Sequence, residues 1–447
     1  MASLNKLAIR GTLWTFVGYG SSQFLRLAGN LVLTRLLVPE MFGLMALVNT
    51  FIIGLNLFSD IGIGPSIIQS KRGDDPSFLN TAWTIQVVRG LGLWICCCII
   101  ALPVSRFYGN PQLLWLLPIV GFSTIIAGFN STALFTLNRK IDLGKLTRFE
   151  FIVQLLGLLV MIGWAWFDPS IWALVVGNLV LSVVKMFWSH ALVTEPRNRL
   201  TWDRTALQEI AHFGRWIFIS TAMTFLATQA DRLILGKIFS LALLGVYTVA
   251  FTLAELPRQV LSRVNGKVMF PVIAQQIELP RPELRSKLLK KRWILLMILA
   301  IALGGMISFG DWLILFLYDD RYRAGAWMLP ILAAGLWLPT LALTIDPVLY
   351  ALGKPQLVAI GNFAKFAYML IFIPLGFHTF GVLGAVIVVA ANDLPYYLAV
   401  AYGVWQEKLS GFRQDLLATL LLLGVATLLI TIRWRLSFGF PIQALWN

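Results

Sequence analysis

The sequence predicts an all-α polytopic membrane protein, with about 12–14 transmembrane helices in two six-helix lobes related by a pseudo-two-fold along the membrane normal, around a central polar cavity. Three observations lead there. The 447 residues are 58% hydrophobic and only 13% charged, with a mean hydropathy of +0.79, whereas soluble domains carry roughly a quarter charged residues. The apolar residues fall into runs of about 20, the length that crosses a hydrocarbon core. The pattern of the first half of the chain returns in the second.

The spans follow in order. Six make the first half: Gly11–Thr34, Met41–Gly62, Ala82–Ser105, Leu113–Leu137, Phe149–Phe167 and Ile171–Leu192. The second half has Phe213–Phe239, Leu243–Arg263, Trp293–Leu317, Met328–Leu352, Leu357–Gly376 and Val382–Gly403, with an extra span at Leu416–Ile432. The expected organisation is an N-terminal lobe at 1–205, a C-terminal lobe at 206–410, and an additional helix with a short tail at 411–447. That tail, Arg433 to Asn447, either lies on the outer surface or belongs to a fourteenth span. The first span is too long and too polar for a cleaved signal peptide and is expected to remain in the mature chain. Connectors are short, so the sequence leaves no room for an ATPase, a glycosyltransferase site or a nucleic-acid module.

The first span carries a polar stripe. Thr12, Thr15, Tyr19, Ser22, Gln23, Arg26 and Asn30 fall within about 100° of one another at helical spacing. Burying Arg26 in hydrocarbon costs on the order of 3 kcal/mol or more, so this face belongs against protein or a water-filled space. Span two has Asn49, Asn56 and Asp60 in a stripe of its own.

Sliding the chain by 202 residues aligns Leu31-Val32-Leu33-Thr34-Arg35-Leu36 with Leu233-Ile234-Leu235-Gly236-Lys237-Ile238, and Gly43-Leu44 with Gly245-Val246. A basic residue and a glycine recur at the same turn, which is the mark of an internal repeat. The same offset sets Ser22 on Thr224, Arg26 on Thr228 and Asn30 on Arg232. Span seven thus repeats the stripe as Ser220, Thr221, Thr224, Thr228, Asp231 and Arg232, and span eight adds Thr248, Thr252, Glu255, Gln259 and Ser262. Two bundles facing each other across a polar cleft satisfy all four stripes.

Five cations sit at apparent membrane depth: Arg26, Arg89, Lys185, Arg232 and Lys365. Several can snorkel or form structural pairs, and Arg232 beside Asp231 can be neutralised by it. Together they suggest a cavity that favours anions, since guanidinium groups match phosphate oxygens bidentately. Hydroxyl and amide side chains on the same faces suit sugar hydroxyls. No GxxxxGK[ST] loop is present, because Gly266-Lys267 and Gly353-Lys354 lack the upstream glycine. Asp60, Asp231 and Glu255, with Glu150, Asp346 and Asp393, are the acidic candidates for ion coupling. No cofactor, metal or catalytic residue is expected: Cys96, Cys97 and Cys98 point in three directions around a helix, and His190, His212 and His378 are scattered at connectors. The Asn130-Ser131-Thr132 sequon lies inside a span and is uninformative.

Lys and Arg divide unevenly between alternate connectors. One side carries 24 of the 36 basic residues and the other 7, which places the N-terminus in the cytoplasm of a cell-membrane protein. The basic run from Lys287 to Arg292 reads as a topology signal beside anionic lipid, not as a nucleic-acid patch.

The runs Arg26-Leu27-Ala28-Gly29-Asn30-Leu31-Val32-Leu33-Thr34-Arg35-Leu36-Leu37 with Phe42-Gly43, Asp231-Arg232-Leu233-Ile234-Leu235-Gly236 with Leu244-Gly245-Val246-Tyr247, and Leu352-Gly353-Lys354-Pro355 resemble the polysaccharide-transporter branch of the multidrug/oligosaccharidyl-lipid/polysaccharide exporter superfamily, the Wzx-type flippases. The resemblance covers nearly the whole chain. It implies alternating access and export of a polyprenyl-diphosphate-linked oligosaccharide, not enzyme catalysis. A polysaccharide polymerase and glycosyltransferases are the partners it implies. Arg26 and Arg232 would then contact diphosphate or proximal sugar, with Ser22, Gln23, Asn30, Thr224, Thr228, Arg89 and Lys365 around them, while the polyprenyl tail stays in membrane lipid. Two other readings remain open. A cation-coupled multidrug exporter of the same superfamily would favour an acidic cavity, and the basic interior argues against it. A non-transporting scaffold of a glycan assembly complex leaves the long polar stripes unexplained.

Overall fold

The computed structural model describes residues 2–140, 142–192 and 198–443, with side chains described outside 2–13, 15–16, 211–220, 267–268 and 271–272. The side chains of Thr12, Thr15, Ser220, His212, Lys6, Arg10, Arg197, Arg215 and Lys267, singled out in the sequence, lie outside the described residues. The chain divides into two compact units, 1–225 and 226–447.

The first unit contains α1 (Ala2–Leu36), α2 (Pro39–Phe58), α3 (Ile63–Gln69), α4 (Pro76–Tyr108), α5 (Leu113–Gly128), α6 (Ala133–Arg139), α7 (Leu143–Phe167), α8 (Trp172–Ala191) and the first part of α9 (Arg204–Ile238). The second contains the rest of α9, α10 (Leu241–Ala254), α11 (Leu256–Val264), α12 (Phe270–Ala274), α13 (Arg281–Leu317), α14 (Ala324–Gly335), α15 (Trp337–Leu343), α16 (Pro347–Ala351), α17 (Pro355–Ala390), α18 (Leu394–Gln406) and α19 (Phe412–Arg435). Proline opens many of these helices, at α2, α4, α11, α13, α16, α17 and α18, because its missing N–H is an orphan at the first turn in any case.

Among the described residues, eight helical runs are long and apolar enough to cross a membrane, and two bent pairs raise the number to ten. α1 and α9, each 35 residues long, are too polar to be counted this way because of their hydrophilic faces. The run Pro355–Gln406 is broken at Phe380 and Gly381, where Gly381 takes a left-handed φ of 60° and Gly376 packs on Gly384 across the turn. α1 and α9 are nonetheless long enough to cross a membrane, at about 1.5 Å per residue. The described tail, up to residue 443, forms no fourteenth span: Arg433 donates to the Phe438 carbonyl, and Phe438 packs edge-on against Trp312.

The repeat is visible in the helix boundaries. α1 and α9 begin and end 202 residues apart, as do the starts of α2 and α10.

One expected span ends early and three expected to be continuous are interrupted. α2 stops at Phe58 and α3 restarts at Ile63, with Gly62 left-handed at φ 67° and its N–H donating to Asp60 Oδ1 at 2.8 Å. α5 and α6 meet at 58° across the sequon, where Ser131 Oγ accepts the Ala133 N–H at 3.1 Å and so competes with the helix for its own backbone. α10 and α11 bend by 43° at Glu255, next to Pro257. The span around Met328–Leu352 is three short helices, broken near Pro339 and Pro347.

In the first unit α1 packs on α7, α4 on α5 and α7 on α8. Gly90 and Gly128 bring α4 and α5 into backbone contact: a Cβ at Gly90 would lie 2.6 Å from the Thr124 carbonyl oxygen. In the second unit α13 lies against α14 and α19. Buried ion pairs hold α19 to α13 at both ends, Arg292 to Asp415 at 2.5 Å and Arg433 to Asp311 at 2.6 Å. This corrects the reading of the basic run as a lipid-facing signal throughout. Lys287, Lys290 and Lys291 are exposed, but Arg292 is fully buried, donating to Thr344, Gln414 and the Leu341 carbonyl.

Candidate functional site

Along α1, Gly18 sits on Thr147 and Gly29 on Leu158, so the helix face bearing these glycines packs closely on α7. The Ser22 carbonyl accepts a bond from Gln154 Nε2 on α7 at 3.0 Å. Tyr19, Gln23, Arg26 and Asn30 lie about a quarter-turn away by helical geometry. Gln23 Nε2 donates to Tyr19 Oη at 3.1 Å. Arg26, ten residues before the end of α1, is exposed and makes no hydrogen bond or ion pair among the described residues. Thr224 and Thr228 project from α9, the first exposed and the second half-buried.

Arg232 and Asp231 do not pair with each other. Asp231 is buried and accepts the Tyr247 hydroxyl at 2.5 Å. Arg232 donates to Gln229 at 2.7 Å and lies 5.2 Å from the centre of the Phe251 ring. Adjacent residues on a helix point about 100° apart, which separates the two groups.

Arg89 has a different setting. Its guanidinium donates to the Asn56 carbonyl at 2.8 Å and to Ser59 Oγ at 2.9 Å, closing the open end of α2 at the break before α3. Three residues earlier, Gln86 Nε2 donates to the carbonyls of Ala127, Gly128 and Asn130, closing the end of α5. Two broken spans are therefore held by one turn of α4, which supplies the partners that orphaned carbonyls require. Between these breaks and α7 and α8 lies a cavity of about 500 Å³ lined by Asp60, Arg89, Asn130, Glu150 and Lys185.

Lys365 and Glu255 belong to a buried ionic cluster in the second unit. Lys365 Nζ donates to Asp393 Oδ1 at 2.7 Å, Arg258 lies 3.9 Å from the other oxygen of Asp393, and Arg258 pairs with Glu255 at 2.9 Å. Tyr396 donates to Asp346 at 2.7 Å nearby. Sequence reasoning placed Arg258 among the connector cations. Its spacing of three from Glu255 was the signal of a pair on one helix face. The same holds less visibly for Arg292 and Arg433, whose partners are more than a hundred residues away.

The segment leading into α9 is fastened to the first unit. Asn198 bonds Ser131 and Thr132, Thr201 bonds Thr84, and the Asp203 N–H donates to Thr81. Arg72 joins Asp75 and Asp203 at 2.9 and 2.8 Å. Hydrogen bonds from Thr205 and Arg72 hold the Asp203 carboxyl well below the usual carboxylate range, and those to Asp203 and Asp75 raise Arg72.

The fold is shared with solved membrane proteins of low sequence identity. It is similar to an inward-facing multidrug resistance MATE family transporter of the MOP superfamily, with a TM-score of 0.68 at 14% identity over 87% of this chain and 94% of that one. It is also similar to the lipid II flippase MurJ in an inward closed conformation, with a TM-score of 0.66 at 13% identity over 96% and 100% of the two chains. Residues 32–326 match the family described as polysaccharide biosynthesis protein, and the chain belongs to that family. Its relatives include the lipopolysaccharide biosynthesis protein WzxC of Escherichia coli K12, 24% identical over 61% of this chain, and the match spans 56% of WzxC. The succinoglycan biosynthesis transport protein ExoT of Rhizobium meliloti is 23% identical over 78% of this chain and 70% of its own length. The teichuronic acid biosynthesis protein TuaB of Bacillus subtilis is 20% identical over 80% and 74%.

Proposed function

We propose that the protein is a flippase that moves a polyprenyl-diphosphate-linked oligosaccharide across the cytoplasmic membrane by alternating access, with its N-terminus in the cytoplasm. In this reading Arg26, Ser22, Gln23 and Asn30 with Thr224, Thr228 and Arg232 meet the diphosphate and proximal sugar. The observation that carries this reading is Arg26. An exposed cation within a long helix, with a row of hydroxyls and amides beside it and no partner of its own among the described residues, is poorly suited to hydrocarbon and well suited to an anionic, hydroxyl-rich cargo. Family membership and relatives named for polysaccharide biosynthesis and transport support the same cargo class. Polysaccharide polymerase and glycosyltransferases would act beside it.

The test is complementation of a strain that lacks the native gene. Arg26→Ala at normal membrane abundance abolishes glycan export, and Arg26→Lys keeps part of it because the charge remains while the bidentate geometry is lost. Full export by Arg26→Ala overturns the role given to this residue. Drug resistance without glycan export in an overexpressing strain would overturn the flippase in favour of a multidrug exporter.

A further inference from the structure

The cavity inside the first unit has chemistry that the reading above does not use. It lies between the end of α2 and the break after α5, its lining includes no described residue of α1, and its volume of about 500 Å³ is within the range of small-molecule sites. Two of its lining groups are unspent. Lys185 on α8 and Glu150 on α7 make no hydrogen bond or ion pair among the described residues, to each other or to anything else. A third, Asn130 Oδ1, is buried without a hydrogen-bond partner. Lys185 is half-buried on a span-forming helix, where an unmatched ammonium is costly and usually marks a ligand path. A buried amide oxygen without a donor costs about 1–3 kcal/mol.

We propose that this cavity is a binding site for a hydroxylated acid, namely a sugar ring bearing one carboxylate. Lys185 supplies the charge that the acid requires. Arg89, whose Nε and Nη2 are committed to the end of α2, also lines this space. Glu150, Asp60 and Asn130 Oδ1 are acceptors, which is what sugar hydroxyls need. The ring of Phe135, which also lines the cavity, offers an apolar face of the kind a pyranose stacks on. An anion alone would satisfy Lys185 and leave the acceptors empty. A neutral sugar would do the reverse.

Equilibrium binding to the purified full-length protein in detergent tests this, with D-glucuronate, D-glucose and inorganic phosphate as probes. Glucuronate binds at least about tenfold more tightly than either of the others, as one added charge-assisted bond or one set of hydroxyl bonds predicts. Lys185→Met removes the preference for glucuronate over glucose, Lys185→Arg restores it, and Glu150→Leu, which removes an acceptor, weakens the binding of the uncharged glucose. Equal binding of glucose and glucuronate, equal binding of phosphate and glucuronate, or a Lys185→Met protein that still prefers glucuronate each overturns the site. No transport enters the assay. Failure here therefore leaves the flippase reading intact, and failure of export leaves this site intact.

Discussion

Replacing Asp415 by asparagine should loosen the last helix of the chain. The Arg292 guanidinium has no exposed side-chain surface and meets Asp415 at 2.5 Å. Its other bonds go to Thr344 Oγ1, Gln414 Oε1 and the Leu341 carbonyl, all neutral acceptors. Asp415→Asn keeps the shape and removes the only negative charge in contact with that cation among the described residues, at a cost of about 3–5 kcal/mol for a buried charge left unpaired. Arg292→Met with Asp415→Leu removes both charges and regains most of that loss, because two desolvation penalties vanish with the attraction. About 1 kcal/mol stays lost, since Tyr397 donates to Asp415 at 2.9 Å and has no acceptor in the double variant. Equilibrium unfolding in mixed detergent–SDS micelles measures all three proteins. An Asp415→Asn protein within about 1 kcal/mol of the parent, or a double variant less stable than Asp415→Asn, refutes the argument.

Two further outcomes follow from the first unit. Gly90→Leu places a Cβ 2.6 Å from the Thr124 carbonyl oxygen and 3.2 Å from the Gly128 Cα, so α4 and α5 must separate at a cost of about 1–3 kcal/mol, and unchanged unfolding in SDS would show that the approach is not tight. The Asp203 carboxyl is depressed in the folded protein, so its contribution is whole above the unfolded value near 4 and is lost as pH falls through the folded value. Hydrogen exchange of residues 199–206, corrected for intrinsic pH dependence, stays slow down to about pH 4 and quickens below it. Asp203→Asn shows the quickened rate at pH 7, and equal protection in the two proteins would refute the assignment.

Much of the architecture was legible in one dimension. Hydropathy runs, the 202-residue offset and the polar face around Arg26 are local or periodic properties, and the boundaries of α1 and α9 keep that offset. The broken spans were half legible. Pro257, Pro339 and Pro347 are visible interrupters, but a run of apolar residues on both sides hid them, and the sequon at 130–132, set aside as uninformative, marks one of the breaks.

The identity of each embedded charge's partner was not legible, and it separates residues that look alike in the sequence. Arg26, Arg89 and Lys365 are all cations at membrane depth. One is exposed with no partner among the described residues, one closes the end of a broken helix, and one is paired with an aspartate 28 residues along the chain. Composition and periodicity report the transfer cost of each residue from water to lipid, a property of the residue alone, and so they establish a many-span protein with hydrophilic faces. Whether a given charge is spent on the fold or left for a ligand depends on which helices pack beside it, and that is a matter of long-range contacts that no local pattern encodes.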